Sequence, residues 1–241
     1  LRIPALLLLL GALLGEAAPL PPDAKTREIA LGRWFPEPLR ASRQPATAEN
    51  DALLTAVSAF AARTNRDDVT RLESFLAAFP DSAWAISVRT ELGSEYYRTG
   101  WFSKAVDAWE QVWRGRTNAG ASPAQLSVHR AGSHLAGMYA RLGRMAELHA
   151  LLPQLDALSM TGPDAERVRG AKDGLWSMEN TPEIAFRCGP LALDRIRSYR
   201  NSTNALHPVI WNSGRDNGVA SKYLTNGGER TFAQLVRQRR R

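Results

Sequence analysis

The only cysteine of the chain, Cys188, stands in the run Arg187-Cys188-Gly189-Pro190, where the residue pattern opens a helix. A thiol at that position feels the positive end of the helix dipole, which favours the thiolate and therefore nucleophilic attack. Gly189 leaves room for a substrate backbone, and Pro190 sacrifices no helical hydrogen bond in a first turn. Cys188 is thus the candidate catalytic nucleophile. A thiolate also needs a base within hydrogen-bond reach, and downstream there is only His207, followed by Pro208. His129 and His134 lie five apart, off a common helix face, and no acidic metal motif accompanies them or His149. All four histidines are expected to be structural or surface residues, and no metal or cofactor is expected. Trp109 and Trp113 could stack a ligand, but their spacing of four is that of a helix core stripe, and core packing is expected. A lone cysteine excludes an intrachain disulfide framework and any multi-cysteine metal site.

The surrounding charge says which partners suit such residues. The chain has 241 residues, 31 Lys and Arg against 24 Asp and Glu, and 44% hydrophobic residues, enough for an ordinary core. Beyond Cys188 there are ten basic and three acidic residues, so the whole excess of +7 lies in that last stretch. It includes Arg230, Arg237, Arg239, Arg240 and Arg241. The remainder is neutral and attracts phosphate weakly, so the terminal arginines read as a solvated tail and no nucleic-acid partner is expected.

Residues 1–18 have the parts of a secretory signal: Arg2, an apolar run from Ile3 to Leu14, and small residues Gly15 and Ala17 near a cleavage point. The run is shorter than the roughly 18 residues of a membrane span, and none of that length follows it, so no stable membrane span is expected beyond the signal. Export to the periplasm, cell surface or medium is the expectation. From Pro19 to Pro45 there are six prolines and no sustained periodicity. Proline fixes φ and removes a donor, so residues 19–47 read as an extended linker whose Trp34 and Phe35 pack on the next domain.

Residues 48–178 carry apolar residues at helical spacing, with helices expected at 48–63, 67–79, 82–98, 102–115, 122–142, 144–158 and 163–178. Asp67, Ser82 and Ser122 suit N-caps, and Pro123 a first helical turn. Gly100 and Gly143 suit tight turns inside helix pairs, since glycine takes positive φ at little cost. The body repeats itself: Leu92, Gly93, Tyr96, Gly100, Ala105 and Trp109 recur in offset as Leu135, Ala136, Tyr139, Gly143, Leu148 and Leu152. Gly100 and Gly143 are 43 residues apart, as are Tyr96 and Tyr139, while Asn65 to Gly100 is 35. A single helix pair cannot bury its apolar stripe alone, whereas stacked pairs share a core and leave a face for a partner.

This spacing resembles the tetratricopeptide repeat, which implies a mainly α fold of antiparallel helix pairs stacked as a solenoid, with a short irregular C-terminal segment. It also implies a protein or peptide partner in the groove of the repeats. The run RCGPLAL resembles the nucleophile motif of papain-like bacteriocin-processing cysteine peptidases over about 20 residues, which implies Cys188 as nucleophile. That family also places a glutamine where Pro182 stands, and a later histidine and carboxylate than His207 offers. Residues 179–241 are accordingly expected to be a truncated peptidase-like segment with a basic tail. The order of export signal, repeats and cysteine segment is similar to the front of large secreted YD-repeat proteins. The chain is therefore read as an exported interaction scaffold, the N-terminal fragment of a larger protein, with an incomplete cysteine peptidase as the alternative.

Overall fold

A computed structural model of the chain describes residues 23–185. Among them the fold is mainly α and contains no strand. The helices are α1 (Ala24–Leu31), α2 (Thr47–Ala61), α3 (Thr70–Ala78), α4 (Ala85–Arg98), α5 (Phe102–Arg114), α6 (Gln125–Leu142), α7 (Met145–Asp156) and α8 (Gly162–Asn180). A 3-10 turn at Arg116–Ala119 and one helical turn at Pro182–Ala185 complete the description. None of these helices is long and apolar enough to cross a membrane.

The two central pairs, α4/α5 and α6/α7, are closed by the same device. Gly100 and Gly143 both take positive φ, 85° and 67°. Each turn then returns one amide across the helix end: Trp101 N donates to Tyr96 O and Arg144 N to Tyr139 O, both at 2.8 Å. That is the six-to-one bond of a glycine-terminated helix, which satisfies a carbonyl the helix leaves open. The tyrosines that accept these bonds do one further thing in common. Tyr96 donates its hydroxyl to Glu73 of α3, and Tyr139 donates to Glu110 of α5 at 2.8 Å. A cation from the following turn lies over each ring, Lys104 over Tyr96 and Arg144 over Tyr139. Ser82 and Ser122 also act alike, accepting the amides of Trp84 and Ala124, but in the turns ahead of α4 and α6. The N-cap positions belong to Trp84 and Ala124, and Pro123 too precedes its helix.

Small residues admit large ones both within a pair, at Gly93, and between pairs, at Gly132. A Cβ on Gly93 would sit 2.5 Å from the Trp109 indole, and one on Gly132 would sit 2.6 Å from Trp113. Trp109 is wholly buried and donates to Thr90 O at 3.1 Å, and Trp113 is buried against Gly132 and Leu155. Both tryptophans are core residues. The entry to α3 differs from expectation: the helix begins at Thr70, and the side chain that accepts an amide there belongs to Asp68. Asp67 instead donates its own amide to Asn65 Oδ1, so Asn65 and Asp67 form a turn ahead of the helix.

Residues 24–45 are more ordered than their prolines suggest. Asp23 caps α1 by accepting the Thr26 amide at 2.6 Å, and Ile29 is buried. Fully buried Asn50 ties this helix to the body, donating to Thr26 Oγ1 and accepting from the Trp84 indole, each at 2.8 Å. From Gly32 to Pro45 the chain then passes over the helices without regular structure. Phe35 packs on Phe60 of α2 and Leu39 is 1% exposed. The segment packs on the helices through both Trp34 and Phe35, as expected, but it is a docked strap and not an extended linker.

Candidate functional site

Helices α4, α6 and α8 pack side by side and present one continuous charged cluster. At its centre is Arg130 of α6, only 18% exposed, which lies 3.3 Å from Glu91 of α4 and 4.0 Å from Asp164 of α8. A third carboxylate reaches it from the strap: Glu37 lies 2.9 Å from the Arg130 guanidinium. Asp164 accepts from Ser133 at 2.8 Å and from Arg167 at 2.7 Å, and Arg167 also donates to Ser133. Every one of these groups is an ion or hydroxyl satisfied by a neighbour from another helix or from one turn away. A buried charge left unpaired would be costly, which is why they gather.

Two titratable groups are displaced in opposite senses. Burial pushes the Glu91 carboxyl up to about 7, against the pull of Arg130. Burial, reinforced by Arg167, brings the His134 imidazole down to about 3, with Asp164 opposing. His134 lies flat on Trp109, ring centroids 4.5 Å apart and planes 5° from parallel, so its position is fixed by stacking. The imidazole is therefore neutral at pH 7. Burial also lowers the pKa of His129, while His149 is exposed and lies 2.7 Å from Glu179. Among the described residues, no cluster of His, Cys, Asp and Glu could hold a metal ion.

The strap completes the site. Its main chain is held at two points, where Arg40 N donates to Ser87 Oγ at 3.0 Å and Ser42 N to Ala83 O at 2.8 Å. Its far end is clamped by buried Glu49, which takes Arg43 at 2.7 Å and the amides of Ala46 and Ala83 at 3.3 Å. Burial raises the Glu49 pKa, but these donors outweigh it and hold the carboxyl below its ordinary range. Pro36 and Pro38 flank Glu37, and a residue before proline is steered toward extended backbone. The carboxylate that meets Arg130 is therefore presented by a stiff tripeptide. One face, made of α2, α4 and α6, accepts a non-helical chain through apolar, main-chain and ionic contacts together.

Cys188 and His207 lie outside the described residues, as does the segment read as an export signal. The sequence reading passes over Glu37, Glu91, Arg130, Ser133, Asp164 and Arg167. One local signal was available: Glu91 directly precedes Leu92, and Arg130 stands between Val128 and Ala131, so charge intrudes on the apolar stripe. Two open hollows lie elsewhere, one between α7 and α8, the other between α3, α4 and α5. Their linings pair no nucleophile with a histidine base. Comparison with protein-family models, with curated proteins and with solved structures returns no match.

Proposed function

We propose that this chain is an exported protein–protein interaction scaffold, its helix pairs stacked as tetratricopeptide-like repeats. It binds a non-helical peptide segment of a partner on the face of α2, α4, α6 and α8. The observation that carries the reading is the strap, whose Leu39, Glu37 and main-chain amides are already accommodated there. Peptide recognition of this kind takes affinity from main-chain hydrogen bonds and specificity from side-chain sites, and both are present. The repeat reading is supported by the matched glycine turns, the matched Tyr–Glu bonds and the matched serine entries of the two central pairs. The apolar run of residues 3–14 supports export. The peptidase-like reading of Cys188 rests on its motif residues alone.

The test is selection of peptides from a displayed library on the full chain, followed by titration of each binder against face variants. Binders are expected to lose about tenfold or more in affinity with Arg130→Glu or Arg167→Glu, as loss of a partly buried charge contact implies. Binders indifferent to both substitutions but abolished by Lys104→Glu, on the side of α5 that meets α3, would overturn the assignment of the face.

A further inference from the structure

Between Arg33 and Ala41 only Phe35 and Leu39 are buried, and the strap has no helical or strand hydrogen bonds of its own. Its hold is those two side chains, the Glu37–Arg130 pair and the amides of Arg40 and Ser42. An irregular segment held from outside by so short a set of contacts can open while the helices stay folded. A tethered segment also competes at an effective concentration of about millimolar, which any partner on the same face must overcome. We infer that the strap is a built-in competitor, and that the partner it excludes is a peptide of like chemistry. That peptide carries a carboxylate for Arg130 and, two residues further on, a leucine-sized side chain for the Leu39 site, with a proline between. This inference rests on the peptide-binding reading of the same face.

The chemistry also says how a partner outbids the strap. Arg98 of α4 and Arg167 of α8 are part-exposed cations that act on His134, and each is already paired one turn away in its own helix, with Glu95 and with Asp164. The strap sends its single carboxylate to Arg130 and leaves at Phe35 toward Phe60 of α2. A partner with further carboxylates ahead of the one on Arg130 shares these cations with Glu95 and Asp164, through their exposed sides, and gains contacts that the strap lacks. The favoured partner is therefore an acidic segment of a protein.

The test uses the full chain and a fluorescent peptide copying residues 33–45. Glu37→Arg in the protein removes the cis ion pair and sets two cations against each other, while Glu37 is half exposed and its loss leaves the core intact. Apparent affinity scales with the open fraction. The variant is expected to bind the peptide about tenfold tighter than the natural chain. A copy of the peptide that itself carries Glu37→Arg is expected to show no such gain on this variant, because its arginine would meet Arg130. Equal affinity for the natural chain and Glu37→Arg would overturn the competitor role while leaving peptide binding intact. Absence of binding to every variant, with helical circular dichroism retained, would overturn the peptide-binding reading itself.

Discussion

The face beneath and beside the strap divides into two halves of different chemistry. The half on α2 and α4 is covered by the strap and uses burial and main-chain amides: Phe35 against Phe60, Leu39 in the core, the amide of Arg40 on Ser87 of α4 and that of Ser42 on Ala83 in the turn before it. The half on α6 and α8 holds Arg130, Ser133, Asp164 and Arg167, bound mainly to one another. Apolar and main-chain contacts give grip without much selectivity, whereas fixed charges reject the wrong partner at several kcal/mol. In the proposed peptide-binding role the first half would hold and the second choose; the Arg130–Glu37 ion pair is the seam between them.

The sharpest way to break this division compares two leucines that are each 1% exposed, Leu39 in the strap and Leu135 in α6. Leu135→Ala is expected to cost about 3–5 kcal/mol in urea denaturation, the range for a deleted core side chain. Leu39→Ala is expected to cost about 1–2 kcal/mol, because a strap that lets go caps the loss at its own docking energy. Equal losses would make the strap an integral part of the core and remove the distinction.

The charged half is sharpened by pH. The Glu91 carboxyl sits at about 7 in the folded chain against an ordinary 4.5, so the native state holds the proton more tightly than the unfolded one. Its contribution is fully present below about pH 4.5 and is lost as pH rises to about 7. Glu91→Gln is expected to abolish that loss, gaining up to about 3 kcal/mol at pH 8 relative to the natural chain, minus the lost bond to Arg130. His134 has the opposite sign. Its folded value of about 3 lies below the ordinary 6.5, so stability is full above pH 6.5 and falls as pH drops toward 3. His134→Phe keeps the stacking surface on Trp109 and is expected to retain up to about 2 kcal/mol at pH 5 that the natural chain loses. Thermal unfolding from pH 4.5 to 8 reads both slopes, and unchanged slopes in both variants would contradict the raised Glu91 and lowered His134 titrations.

The parts of this molecule legible in its sequence are those fixed by chemistry within a few residues. Gly100 and Gly143 announce turns that need positive φ, Ser82 and Ser122 announce helix entries, and the spacing of Trp109 and Trp113 announces a buried stripe. Asp67 and Asp68 are chemically alike, and only the turn made by Asn65 decides that Asp68 takes the Thr70 amide. Helix α1 is harder to see, because AKTREIAL buries only Thr26 and Ile29 and owes its place to Asn50, which is 24 residues from Thr26. The strap was hidden by its prolines, which look the same in a solvated linker and in a docked segment. The cluster was hidden by distance: Glu91 meets Arg130 across 39 residues, and Ser133 meets Asp164 across 31. Such partners follow from how helices stack, which no local pattern states.

The most direct measurement is hydrogen exchange at the amides of Arg40 and Ser42 in the full chain. Docked on Ser87 Oγ and Ala83 O, both are predicted to exchange well below random-coil rates but faster than amides in the middle of α4 and α6. Glu37→Arg is predicted to quicken these two while leaving the helices unchanged. Random-coil exchange at Arg40 and Ser42 in the natural chain would contradict the docked strap, and exchange as slow as that of α6 would contradict its release.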